Sequence, residues 1–186
     1  GALSEDLAPH PESPYGASKA AAERLVSDLA ATGAITAVIL RVFNASGAVD
    51  RRPDRDPTRI IPNIMRAARG ELPALTVNGD GTARRDFTHV SDVATAFRLA
   101  LEAEREGTTI YNVGTGRGTS IAELITAAEK ITGRHISIDR LPPKPEPHTS
   151  VADPTRIQTE LGWRPVNSEL TTILSSAWEA ANAQRP

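Results

Sequence analysis

Residues 13–25 read SPYGASKAAAERL, and together with the run TAVILRVFN at 36–44 they decide the fold class. Ser13 can cap a helix whose first residue is Pro14, because proline's fixed φ suits that position and its missing N–H would have no partner there. The helix is expected to run to about Gly33, with Ala22, Leu25, Val26 and Leu29 at i, i+3, i+4 and i+7 forming its core-facing stripe. TAVILRVFN is a short, β-branched, nearly continuous apolar run without turn residues, which reads as a buried strand. A helix succeeded closely by such a strand belongs to an α/β layer.

Outward from there, DRRPDRDPTR (50–59) is charged and broken by prolines, so it reads as an exposed loop. Pro62 falls in the first turn of a helix to about Arg69. ALTV, the turn NGDG (78–81) and RDFTHV read as strand, turn and strand, a hairpin or near-hairpin. A helix from Ser91 carries Val93, Ala96, Phe97 and Ala100 on one face. TIYNV (109–113) is a further strand, and Ser120 with Glu123 forms a capping box for a helix ended by Gly133. HISID is a strand and RLPPKPEPH an extended linker. A short helix starts at Asp153–Pro154, and a last one from about Ser168 turns Leu170, Ile173, Leu174 and Ala177 inward.

The chain has 186 residues, 39% hydrophobic and 24% charged, enough to bury a core and balanced as in a globular protein. A net charge of −2, with the two signs interspersed, offers no basic field for nucleic acid or anionic lipid. Cysteine is absent, which excludes disulfides and thiolate metal sites and permits a cytoplasmic location. His10, His89, His135 and His148 lie singly, without ligand spacing, so no metal is expected. No apolar run approaches a membrane span, and GALSEDLAPH lacks the charged and apolar regions of a signal peptide.

Two motifs compete for chemistry. VGTGRGTS (113–120) sits between a strand and a helix, as a dinucleotide fingerprint would, but the third glycine of G-x-G-x-x-G is replaced by Thr119, so it reads as a permissive connection. Tyr15 and Lys19 are more informative, because four residues on one helix bring their side chains together. A free phenol, with a pKa of about 10, is a poor base at neutral pH, and a neighbouring ammonium stabilises its anion. Such a pair suits the removal of a proton from a hydroxyl while a hydride leaves the same carbon.

Five segments in order, SPYGASKAAAERL, LRVFNASG, VNGDGTARRDFTHVSDVATAF, YNVGTGRGTSIAELI and VADPTRIQTELGWRP, resemble the extended short-chain dehydrogenases/reductases of the NAD-dependent epimerase/dehydratase family, most nearly its UDP-glucose 4-epimerases. The resemblance implies an α/β fold: part of a doubly wound, Rossmann-like parallel sheet domain (1–44 and 86–116) plus a smaller substrate-binding lobe made mainly of 45–85 and 117–186. It implies NAD as cofactor, a nucleotide sugar, most naturally a UDP-sugar, as substrate, and a homodimer built on the helix of Tyr15. Tyr15 would be the catalytic base and Lys19 would hold the nicotinamide ribose and tune Tyr15. Phe43 would lie beside the nicotinamide, Asn44 would contact the sugar nucleotide and Arg85 its phosphates, unless Arg85 is engaged by Asp86 in a surface salt bridge. The implied reaction is epimerisation through a transient 4-keto sugar. A 4,6-dehydratase, a decarboxylase or a non-catalytic sugar-nucleotide-binding remnant are the alternatives.

The departures from that pattern are specific. The glycine-rich turn that cradles NAD in the family would precede this chain, so an incompletely covered parallel sheet, and self-association of the isolated chain, are expected. RIIP (59–62) stands where the 4-epimerases have NLMP, and Asn78 replaces a base-stacking aromatic residue. In PPKPEP, Pro143 stands for a second phosphate-binding arginine, with Lys144 beside it and Glu146 in place of an aspartate.

Overall fold

The computed structural model describes residues 1–183 and is mixed α/β. In chain order the elements are α1 (Pro14–Ala31), β1 (Ala37–Val42), β2 (Asn44–Ser46), α2 (Ile60–Ala68), β3 (Leu75–Asn78), β4 (Arg84–Arg85), β5 (Phe87–His89), α3 (Val90–Glu102), β6 (Thr108–Val113), β7 (Thr119–Ser120), α4 (Ile121–Thr132), β8 (Ile138–Leu141), β9 (Thr149–Ser150), α5 (Thr155–Glu160) and α6 (Leu170–Asn182).

The apolar run after α1 forms β1, which lies parallel to β6 with Leu40 opposite Tyr111. Parallel pairing also joins β2 to β5 and β3 to β8. The expected hairpin between ALTV and RDFTHV does not form. The turn between them takes two left-handed glycines, Gly79 (φ 74°) and Gly81 (φ 87°), and Asp80 Oδ1 accepts from Thr82 N at 2.9 Å. That geometry leads the chain out of β3, whose partner is β8, and into a small sheet in which β4 lies between β7 and β9. RDFTHV is accordingly two strands, split at Asp86.

Two apolar clusters result. Val93, Ala96, Tyr111, Val113, Ile157 and Trp163 are packed beneath the β1–β6 pair, and Trp163 donates its indole N–H to Asp92 O at 2.9 Å. The larger cluster is built by α2, α4 and α6 around β3, with Ile64, Leu75, Leu124, Ile136, Ile173 and Leu174 fully buried. Ser120 and Glu123 complete the capping box of α4, and Gly133 closes that helix in the left-handed region at φ 65°.

The stripe assigned to the core of α1 is exposed instead: Leu25 is 71% accessible, and Ala22, Val26 and Leu29 also face outward. Ala30 faces inward, and a paired ion contact holds the helix down, with Glu23 receiving two hydrogen bonds from Arg41 of β1 at 2.6 and 3.0 Å. The periodicity locates an apolar face correctly but cannot say what covers it. Phe97 of α3 is likewise exposed, while Val93 and Ala96 on the same helix are buried.

Candidate active site

Four of the five residues singled out from sequence, Tyr15, Phe43, Asn44 and Arg85, line one cleft of about 1030 Å³. Tyr15 projects from the first turn of α1, where the Ser13 hydroxyl accepts from Gly16 N at 3.1 Å and fixes the start of the helix. The residue is 72% exposed, and Lys19 Nζ stands 5.5 Å from the ring centroid. The helical offset therefore brings phenol and ammonium together as its spacing requires. The bidentate Glu23–Arg41 contact positions this helix against the sheet, and Arg41 also donates to Glu5 O at 3.1 Å. Glu23 raises the Arg41 pKa through that contact. Neither residue was singled out from sequence, although an arginine within AVILRV was the available signal.

Phe43 lies between β1 and β2, and Asn44 begins β2. Phe43 N donates to Val113 O at 3.1 Å, and the Asn44 side-chain amide donates to Asp86 O at 3.0 Å, so the chain entering β5 sets its orientation. Arg85 enters the cleft from β4. It is not paired with Asp86. Its Nη2 donates to Glu146 Oε2 at 3.1 Å and its Nη1 to Pro147 O at 3.0 Å.

Asp86 points the opposite way, fully buried, and receives hydrogen bonds from Thr115 N (2.8 Å), Gly116 N (2.9 Å), Ala152 N (3.2 Å) and the Thr115 hydroxyl (2.7 Å). This settles the glycine-rich turn. The N–H groups of Thr115 and Gly116, which in a nucleotide-binding loop would meet a phosphate, turn inward to a carboxylate of the same chain. Gly114 is required there, since a Cβ would lie 2.7 Å from Asp86 Oδ2 and collide with Ala152, and Gly116 has φ 76°.

The cleft wall is basic. It carries Arg55, Arg59, Arg66, Arg69, Arg85 and Lys144 against Asp54, Glu71 and Glu146, in a chain whose net charge is −2. An anion with several charges is the ligand class such a wall favours. Asn78 and residues 59–62 also line it. Among the described residues no three His, Asp or Glu gather as a metal site, and no helix is long and apolar enough to cross a membrane.

A mixed α/β fold with parallel strands, and a basic cleft lined by a tyrosine whose ring carries a lysine ammonium, define the class. The chain belongs to the NAD dependent epimerase/dehydratase family, which matches residues 2–114. It is 37% identical over 192 residues to a putative UDP-arabinose 4-epimerase of Arabidopsis thaliana, covering 95% of this chain and 44% of that protein. It is 32% identical over 191 residues to the UDP-glucose 4-epimerase of Corynebacterium glutamicum, covering 97% and 58%. Among solved structures it is similar to the UDP-glucose 4-epimerase of Stenotrophomonas maltophila with bound NAD and formylated UDP-arabinopyranose, at TM-score 0.89 and 35% identity, covering 97% of this chain and 58% of that one. The chain thus spans about half the length of the curated relatives it matches.

Proposed function

We propose that the protein is an NAD-dependent nucleotide-sugar epimerase that inverts C4 through a transient 4-keto sugar, and that this chain supplies its proton relay and much of its substrate site. The observation that carries the reading is the Tyr15–Lys19 pair at the mouth of a basic cleft that also holds Phe43, Asn44 and Arg85. Relatives named as UDP-glucose and UDP-arabinose 4-epimerases, and a neighbour solved with NAD and a UDP-sugar, support it.

In this reading Tyr15 Oη takes the proton of the sugar 4-hydroxyl and later returns it. Lys19 stabilises the negative charge that develops on the phenol, and does so more strongly once ligands displace water from the exposed ring. NAD, when bound, supplies the hydride acceptor and donor. Tyr15, Lys19 and Phe43 fit its nicotinamide and ribose end, whereas the glycine-rich turn, filled by Asp86, offers its phosphates nothing. Asn44 would contact the sugar nucleotide and Arg85 would bind the diphosphate, for which a planar guanidinium is suited.

We further assign residues 1–44 and 86–116 to the dinucleotide-binding domain and 45–85 with 117–186 mainly to a substrate-binding lobe. The outward Leu25, Val26 and Leu29 of α1 support a homodimer formed on that helix, and the cysteine-free sequence suits the cytoplasm. A Tyr15→Phe variant of the whole protein, assayed for interconversion of UDP-glucose and UDP-galactose and of the corresponding UDP-pentoses, should lose at least about a hundredfold in kcat. NAD binding should stay nearly intact. Turnover at the unmodified rate would remove Tyr15 from the reaction.

A further inference from the structure

We propose that Glu146 is a built-in competitor for the phosphate site at Arg85, a carboxylate that an incoming phosphate must displace. The inference rests on the nucleotide-sugar reading of the cleft. The two terminal nitrogens of Arg85 are both engaged: Nη1 donates to the carbonyls of Arg84 (2.9 Å), Pro147 (3.0 Å) and His148 (3.4 Å), and Nη2 to Glu146 Oε2 (3.1 Å). Only the last of these partners carries charge.

The two members of the ion pair differ in how firmly they are placed. The Arg85 side chain is 17% exposed and sits on a strand paired on both sides, with Thr119 and Ser150 as its register partners. The Glu146 side chain is 57% exposed and belongs to residues 142–148, which are exposed throughout. That segment is flanked by two anchored ends, Leu141, whose carbonyl accepts from Gly79 N at 2.8 Å, and β9. Glu146 can therefore leave Arg85 without disturbing the strand that presents the cation.

The exchange has a definite sign. A phosphate brings at least as much negative charge as the carboxylate and offers the guanidinium two oxygens in the same plane. It replaces Glu146 and sends that carboxylate into water, where a half-exposed ion is readily solvated. A neutral sugar or nucleoside brings nothing to exchange, so Arg85 stays with Glu146. Glu146 thus occupies the guanidinium in the free cleft and gives it up when a phosphate arrives.

Calorimetric titration of the whole protein with UDP and with uridine tests this. Glu146→Gln keeps the size of the side chain and removes the charge. It should tighten UDP roughly two- to fivefold, the range expected for freeing a partly exposed cation from its pair, and leave uridine unchanged. In an Arg85→Ala background the same change should have no effect on UDP.

Weaker or equal UDP binding by the Glu146→Gln variant overturns the exchange while leaving the nucleotide-sugar reading standing. Tighter binding that persists without Arg85 overturns it too, because the gain would then be general charge rather than release of that cation. Failure of both the unmodified protein and the variant to bind UDP overturns the nucleotide-sugar reading, and the exchange with it.

Discussion

Arg85 and Asp86 are neighbours of opposite charge that never meet. One faces the cleft and the other the interior, because Asp86 bridges the break between β4 and β5 with its backbone bonded to Ser150 and Asn44, and its side chain turns away from that of Arg85. A surface pair is the natural reading from sequence, where adjacency is visible and direction is not. Asp86 is the residue whose importance is least legible there, since its partners Thr115, Gly116 and Ala152 lie 29 to 66 residues away. Removing it leaves three backbone N–H groups, one buried and two part-buried, without their acceptor, so Asp86→Ala should cost about 3 kcal/mol of folding stability in urea titration. A loss below about 1 kcal/mol would mean that the glycine-rich turn closes without its carboxylate. Tyr15, Lys19, Phe43, Asn44 and Arg85, by contrast, are legible because they fall within contiguous motifs, and four of them line one cleft with Lys19 set against the Tyr15 ring.

Among the elements, helices with local signals are legible. The Ser13 cap, the Ser120/Glu123 box and the stop at Gly133 each act within four residues. What covers a helix, and which strand joins which, depends on distant chain, and there the outward face of α1 and the absent hairpin depart from expectation. The cap of α3 is a histidine, which sequence reasoning does not single out: buried His89 accepts from Ser91 N through Nδ1 at 3.2 Å, and its Nε2 faces Ser176 Oγ at 3.2 Å. Protonating Nδ1 would abolish the cap. Burial lowers the His89 pKa, against an opposing pull from Asp92. An unfolded histidine titrates near about 6.5. Below that value the unfolded chain gains a proton that the folded chain refuses, so stability falls as pH drops through that range. Urea midpoints measured between about pH 7.5 and 5.5 should decline, and a His89→Gln variant should flatten the decline. An equal slope in the variant would assign the titration to another group.

At the scale of the molecule, β1 and β6 make a two-stranded parallel sheet, and no further strand flanks either one among the described residues. Parallel strands are ordinarily covered on both faces, yet most of β1 is only half-buried, and Leu25 of α1 with Phe97 and Leu101 of α3 are exposed on the helices that pack against it. The 186-residue chain by itself should therefore associate, giving a concentration-dependent mass in sedimentation; a monodisperse monomer at high concentration would show that these surfaces are tolerated by water. The segment across the cleft has a different character. Four of the seven residues at 142–148 are proline, so this stretch has few conformations to give up. A flexible loop of the same length would surrender much of its entropy each time it settled over a ligand. This one is nearly as ordered before the ligand arrives as after, and the free energy of binding is left to the charges it carries.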